Sequence, residues 1–197
     1  MDASATGPKP LSDAMLIARS LAEPEMFSTI FDRHFATIHR YLARRVGSAR
    51  ADDLASQTFA VAFEGRTSFD VDVESARPWL FGIATNLMRN ETRSEQRLLA
   101  AVARLDAQTA GDLQKEVERT LARVDASREF GRIAAILLAL DSDQRDVLLL
   151  HAWGDLSYEE ISQALSIPVG TVRSRLSRAR AKFSPTTVVN PIAEEGR

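Results

Sequence analysis

The chain has 197 residues, 45% hydrophobic and 26% charged, with a formal net charge of −2. That length allows one large domain or two small ones, and the composition suits packed cores rather than a disordered or uniformly basic polymer. There are no cysteines, which excludes disulfides and thiolate metal sites. No run approaches the roughly 18 apolar residues of a membrane span. The opening MDASATGPKPLSD also lacks the features of a secretory signal, so the chain reads as cytoplasmic with no membrane insertion.

Residues 1–23 carry Gly7, Pro8, Pro10 and small polar side chains and read as a flexible tail, with room for a short helix over 13–21. Pro24 opens a helical pattern in which Phe27, Ile30, Phe31, Phe35, Ile38, Leu42 and Val46 share a stripe, and Gly47 ends it. His34 and His39 lie five residues apart without a carboxylate cluster, so they read as helix-surface or core-edge side chains rather than metal ligands. A second helix is predicted over 51–64. Leu54, Ala55, Thr58, Phe59, Ala62 and Phe63 are available for packing, and Asp52 and Asp53 near its start favour the helix dipole. After a loop rich in Asp, Ser and Gly, Pro78 opens a third helix. Trp79, Leu80, Ile83, Ala84 and Leu87 are expected to face inward, with Asn86, Arg89, Asn90, Arg93 and Arg97 on the polar sides.

Residues 98–129 are alanine-rich, mixed in charge and without aromatics, and their apolar spacing is too thin for a core, so they read as a linker. A second domain follows over 130–184. Ile133, Ile136, Leu137 and Leu140 form one helix, and Asp141 or Ser142 caps the next. That helix holds Val147, Leu148, Leu150 and His151, and Gly154 suits a left-handed end. Residues 185–197, with Pro185 and Pro191, read as a second flexible tail.

The sharpest signal is LSYEEISQALSIPVGTVRSRLSRARAKF, from Leu156 to Phe183. Ser157 and Glu160 have the spacing of a capping box, Ile161, Ala164 and Leu165 form a stripe, and Pro168 punctuates the turn. Val172, Leu176, Ala179 and Phe183 then fall on one face of a second helix, with the small Gly170, Ser174, Ser177 and Ala181 opposite. Arg173 and Arg180 flank one side, Thr171, Arg175, Arg178 and Lys182 the other, and no acid interrupts 170–182. A solvated helix normally interleaves Glu for i,i+4 pairing. A capped helix, a tight turn and an uninterrupted basic helix instead make a helix-turn-helix, in which Arg chelates guanine or holds phosphate and Ser or Thr donates to either.

PVGTVRSRLSRAR, together with DDLASQTFAVAFE and ARPWLFGIATNLMRNETRSEQR, resembles the bacterial sigma factors of the extracytoplasmic-function type, within the sigma-70 family. The likeness covers roughly 27–97 and 130–183. It implies an all-α chain of two small helical domains joined by a linker, the second containing the helix-turn-helix. On that resemblance, residues 24–97 bind core RNA polymerase and melt the promoter, while 130–184 read the minus-thirty-five element. Polymerase docking is implied for Asp52, Asp53, Leu54, Gln57, Thr58 and Phe59. Ser56 and Gln57 stand where the family commonly has Gln and Glu, so one docking charge is absent. Minus-ten recognition is implied for Arg77, Asn86, Arg89, Asn90 and Arg93. Arg173, Ser174, Ser177 and Arg178 match the family's base-reading positions, with Thr171, Arg175 and Arg180 on phosphates. The resemblance implies a linker that passes through the basic polymerase channels, helped by acids such as Asp106, Glu116 and Glu129; the residues fit equally a solvated helical spacer whose acids and arginines pair locally. An anti-sigma partner is also implied. The helix around Leu54 and Phe59 is expected to offer apolar surface to polymerase.

The rival readings are a helix-turn-helix regulator acting without core polymerase, an interaction protein that never touches DNA, and an enzyme. The last would need a glycine-rich phosphate loop or a cluster of His and carboxylates at ligand spacing, so the expectation is no enzyme, no metal and no cofactor.

Overall fold

The computed structural model describes residues 11–105, 136–137 and 139–183, and the side chains only up to position 92 in the first of these stretches. Most of the expected linker, the residues 130–135 and both chain ends lie outside the described residues. Four helices build the amino-terminal domain: α1 (Asp13–Ser20), α2 (Ser28–Val46), α3 (Ser48–Glu64) and α4 (Arg77–Leu105). Three build the described part of the second: α5 (Ser142–Ala152), α6 (Tyr158–Leu165) and α7 (Val169–Ala181).

The α2 stripe forms as its periodicity requires, with Phe27, Ile30, Ile38 and Leu42 buried, and Tyr41 added between them. A short 3-10 turn over Pro24–Phe27 leads into it, and Gly47 ends it at φ 85°. At that angle a side chain is strained, so glycine is the residue that lets α3 turn back along α2. Because α3 begins at Ser48, Asp52 and Asp53 stand in its second turn, past the reach of the helix end, which corrects the dipole reading. Asp52 instead accepts His39 Nε2 at 2.7 Å.

The reading of 1–23 as a tail also needs correcting. Leu16 and Ile17 of α1 are almost fully buried, and Asp13 is the polar end of the same contact. Its carboxylate meets Arg33 Nη1 at 3.0 Å, His34 Nε2 at 2.7 Å and the Ala76 N–H at 3.0 Å. Burial alone would raise its pKa. The hydrogen bond to His34, the Ala76 N–H, the charge of His34 and the bond from Arg33 together outweigh burial and lower it to about 2. The short helix anticipated over 13–21 is therefore packed into the domain. Its apolar pair is too brief to register as a periodic stripe.

The third helix starts at Arg77, one residue before Pro78, and runs to Leu105, well into the expected linker. Leu80, Phe81, Ala84 and Met88 are buried, while Trp79 is half-buried with its ring 5.1 Å from that of Phe69. This contact pins the loop before α4 to its first turn.

In the second domain Asp141 caps α5 by accepting the Gln144 N–H at 2.8 Å. The left-handed residue after α5 is Asp155 at φ 53°, not Gly154. Gly154 is small for another reason: a Cβ there would stand 2.6 Å from the Leu150 carbonyl oxygen and 3.2 Å from the Phe81 ring. Buried side chains of both domains join in one continuous cluster, and the start of α4 packs against the end of α6. At that crossing a Cβ on Gly82 would lie 2.4 Å from the Ala164 carbonyl oxygen, closer than a Cβ approaches a nonbonded oxygen. Phe81 is fully covered there, a burial that contributes about 2–3 kcal/mol.

Candidate nucleic-acid interface

The helix-turn-helix assembles from local chemistry. Ser157 Oγ accepts the Glu160 N–H at 3.1 Å and Glu160 returns the bond to the Ser157 N–H at 2.8 Å, closing the capping box. Ser166 ends α6 in the left-handed conformation at φ 53°, and Pro168 precedes α7. Val172, Leu176 and Ala179 are buried, which turns the opposite side of α7 outward.

Arg173, Ser177, Arg178 and Arg180 are exposed on that outer side. Gly170 is exposed too, with open space where a Cβ would stand, so a nucleic-acid backbone can approach the start of the helix. Thr171 and Ser174 are half-buried, and Ser174 Oγ donates to the Thr171 carbonyl at 3.0 Å. Arg175 points elsewhere: its Nη2 donates to Asp143 Oδ2 at 2.6 Å.

On α4, Asn86 and Asn90 are exposed on the polar side, as their spacing predicts. Arg93 lies on α4, but its side chain is outside the described residues. The two remaining cations of that group turn toward the second domain. Arg77 Nη2 donates to the Gly154 carbonyl, and to that of Asp155 at 3.2 Å. Arg89 donates through Nε to Asp146 Oδ2, and through Nη2 to Asp143 Oδ1 at 2.9 Å.

The contacts of Arg89 and Arg175 converge on two acids of α5, Asp143 and Asp146, that sequence reasoning did not single out. The Asp146 side chain is 2% exposed and also accepts Arg45 Nη2 at 2.6 Å. Arg45 in turn donates to the buried Tyr41 hydroxyl at 2.8 Å. Removing one partner of such a buried pair costs about 3–5 kcal/mol, because it strands a charge away from water. In sequence, Asp143 looks like an ordinary first-turn acid of a capped helix, and Asp146 falls in the second turn. The sole available signal was that Asp146 interrupts an otherwise apolar face beside Val147 and Leu150.

Comparison with known proteins decides what this pair of helical units is. The sigma-70 region 2 family model matches residues 30–98, and the sigma-70 region 4 model matches 130–183. The RNA polymerase sigma factor NccH of Alcaligenes xylosoxydans xylosoxydans is 31% identical over 85% of this chain and 91% of its own length. The chain belongs to the sigma-70 family. It is a sigma factor of the extracytoplasmic-function type, the group in whose name several of its relatives are described. The sigma factor CnrH of Cupriavidus metallidurans is 31% identical over 88% of this chain and 93% of its own. The solved structure of CnrH in complex with the cytosolic domain of CnrY superposes with a TM-score of 0.59 at 28% identity, covering 87% of this chain and 94% of that one.

Within this sigma factor, the helix expected to dock on polymerase is α3, and the structure divides the six residues named for it. Asp52, Asp53 and Gln57 are exposed. Leu54 and Phe59 are each 4% exposed and Thr58 is fully buried, its Oγ1 donating to the Leu54 carbonyl at 2.7 Å. The expectation that the surface around Leu54 and Phe59 is apolar is corrected accordingly: those two side chains build the α2–α3 core. The apolar atoms offered to solvent nearby belong to Phe31 and Val61, 39% and 41% exposed. A period of 3.6 fixes which residues share a face but not which face meets the neighbouring helix.

Proposed function

We propose that this sigma factor reads the minus-thirty-five element with the outer face of α7 and opens the minus-ten element with the polar face of α4. Arg173, Ser177 and Arg178 address base edges, with Ser174 beside them, and Thr171, Arg175 and Arg180 hold phosphates. Asn86 and Asn90 meet the unpaired bases, with Arg77, Arg89 and Arg93 on the backbone. Core polymerase docks on the exposed side of α3, through Asp52, Asp53 and Gln57 with Val61 and Phe31.

The observation that carries this reading is the outward array Arg173, Ser177, Arg178 and Arg180 on a helix whose other face is sealed into the domain. The catalytic work belongs to the polymerase, and this chain supplies recognition in the cytoplasm. Among its described residues, no helix is long and apolar enough to cross a membrane. An anti-sigma protein is its proposed negative regulator, since the structure of the similar CnrH was solved with CnrY bound. Run-off transcription with purified core polymerase on a genomic promoter library tests the reading. Specific initiation that requires this chain supports it. Duplex binding without any polymerase-dependent initiation would favour a regulator acting alone.

A further inference from the structure

We propose that His39 of α2 is a positioning residue for polymerase docking: it fixes the Asp52 carboxylate at the charged end of the α3 surface. The inference rests on the reading of the exposed side of α3 as the docking surface, and it adds to that surface a residue of the neighbouring helix.

His39 Nε2 donates to Asp52 Oδ1 at 2.7 Å. The His39 side chain is 29% exposed and that of Asp52 73%. A pair this open to water contributes little to the stability of the fold. Its value lies in what it does to the carboxylate. The other Asp52 oxygen makes no hydrogen bond or ion pair among the described residues, so it is available to a partner. An exposed aspartate loses rotamer freedom when a partner captures it, and that loss weakens binding. A donor already seated on Oδ1 removes part of the loss in advance.

His39 serves as a fixed point because it is itself held. Its ring stacks on that of Phe35, with centroids 5.8 Å apart and planes inclined by 23°. Phe35 stacks in turn on Phe31 at 4.7 Å and 27°. Phe59 of α3 closes this file from the side, edge-on to Phe31 at 5.0 Å and tilted against Phe35 at 5.9 Å. Positions 31, 35 and 39 are four apart, so the helical repeat alone lines the three rings along the α2–α3 seam.

The file gives the docking surface two unlike ends. Phe31 and Val61 offer apolar area at one, and Asp52 offers a carboxylate oxygen at the other. Eight residues of helix at about 1.5 Å each separate Phe31 from His39, roughly 12 Å. The partner that fits is an amphipathic helix of core polymerase carrying an apolar side chain and a cationic one about two turns apart.

Two substitutions separate the hydrogen bond from the ring. His39→Phe keeps a ring against Phe35 and removes the donor. His39→Gln removes the ring and keeps an N–H within reach of Asp52. Each full-length variant is titrated against purified core polymerase, with thermal denaturation measured beside it. His39→Phe should weaken binding about three- to tenfold at an unchanged melting temperature, and His39→Gln should hold parent affinity to within about twofold. In a chain that already carries Asp52→Ala, His39→Phe should cause no further loss. Parent affinity in His39→Phe overturns the proposal. Equal losses in His39→Phe and His39→Gln, or a further loss in the Asp52→Ala background, also overturn it, because the ring would then act by packing or by touching polymerase itself. The underlying reading is judged separately through Asp53→Ala and Val61→Asp. If these weaken binding and His39→Phe does not, the docking surface stands and the positioning role falls. If neither they nor Asp52→Ala weakens binding, both fall together.

Discussion

The carboxylate of Asp13 accepts the backbone N–H of Ala76 at 3.0 Å, tying the first helix of the chain to the residue just before α4. Through this bond, and through Arg33 and His34, α1 sets where α4 begins.

Stability should therefore depend on Asp13 in acid. Its pKa falls from 3.8 unfolded to about 2 folded, so its contribution is complete above pH 4 or so and is lost as pH drops toward 2. The shift corresponds to about 2 kcal/mol. Asp13→Asn should lower stability by about that much at pH 7 and flatten the acid limb of a plot of unfolding free energy against pH. Urea titrations between pH 2 and 7 measure both effects.

The outer face of α7 should divide by role. Arg173→Ala and Arg178→Ala should each cost about 1–3 kcal/mol on the cognate element and relax the preference for one base. Arg180→Ala should weaken all sequences alike and reduce the salt dependence by about one ion. Competition binding of promoter-like duplexes, repeated at several salt concentrations, separates the two patterns. Identical profiles for all three variants would refute the division.

Melting should fail without loss of polymerase binding when Asn86 and Asn90 are both replaced by alanine. The two side chains are exposed and carry no packing load, so thermal stability should stay within about 0.5 kcal/mol of the parent. Permanganate reactivity of thymines around minus ten should drop while the holoenzyme still forms. Full reactivity would place the melting site elsewhere on the domain.

The two halves of the α3 set should behave oppositely. Leu54→Ala and Phe59→Ala remove buried groups and should destabilise by about 2–5 kcal/mol, with weaker polymerase binding only as a consequence of unfolding. Asp53→Ala, Gln57→Ala and Val61→Asp should leave the melting temperature nearly unchanged and lower affinity for core polymerase directly. Thermal denaturation beside core-binding titrations distinguishes structural from interfacial residues.

Local sequence determined much of this protein. Ser157 and Glu160 specify a helix start within four residues, and Val172, Leu176 and Ala179 specify which side of α7 is sealed, so the exposure of Arg173, Ser177 and Arg178 follows from periodicity alone. The α2 stripe and the end at Gly47 are legible for the same reason. These are short-range properties, set by contacts three or four residues apart.

Tertiary structure decided what local periodicity leaves open. Leu54, Thr58 and Phe59 sit one helical face away from Asp53 and Gln57, and only the placement of α2 shows which set is core. Asp13 and Ala76 are 63 positions apart, and Arg45 and Asp146 are 101 apart, so nothing in either neighbourhood names the other. The same holds for Gly82 and Gly154, whose missing side chains matter because another backbone or ring passes through that space. Packing selects among faces that the helical repeat makes equivalent, and it brings distant charges together only once both domains are folded against each other.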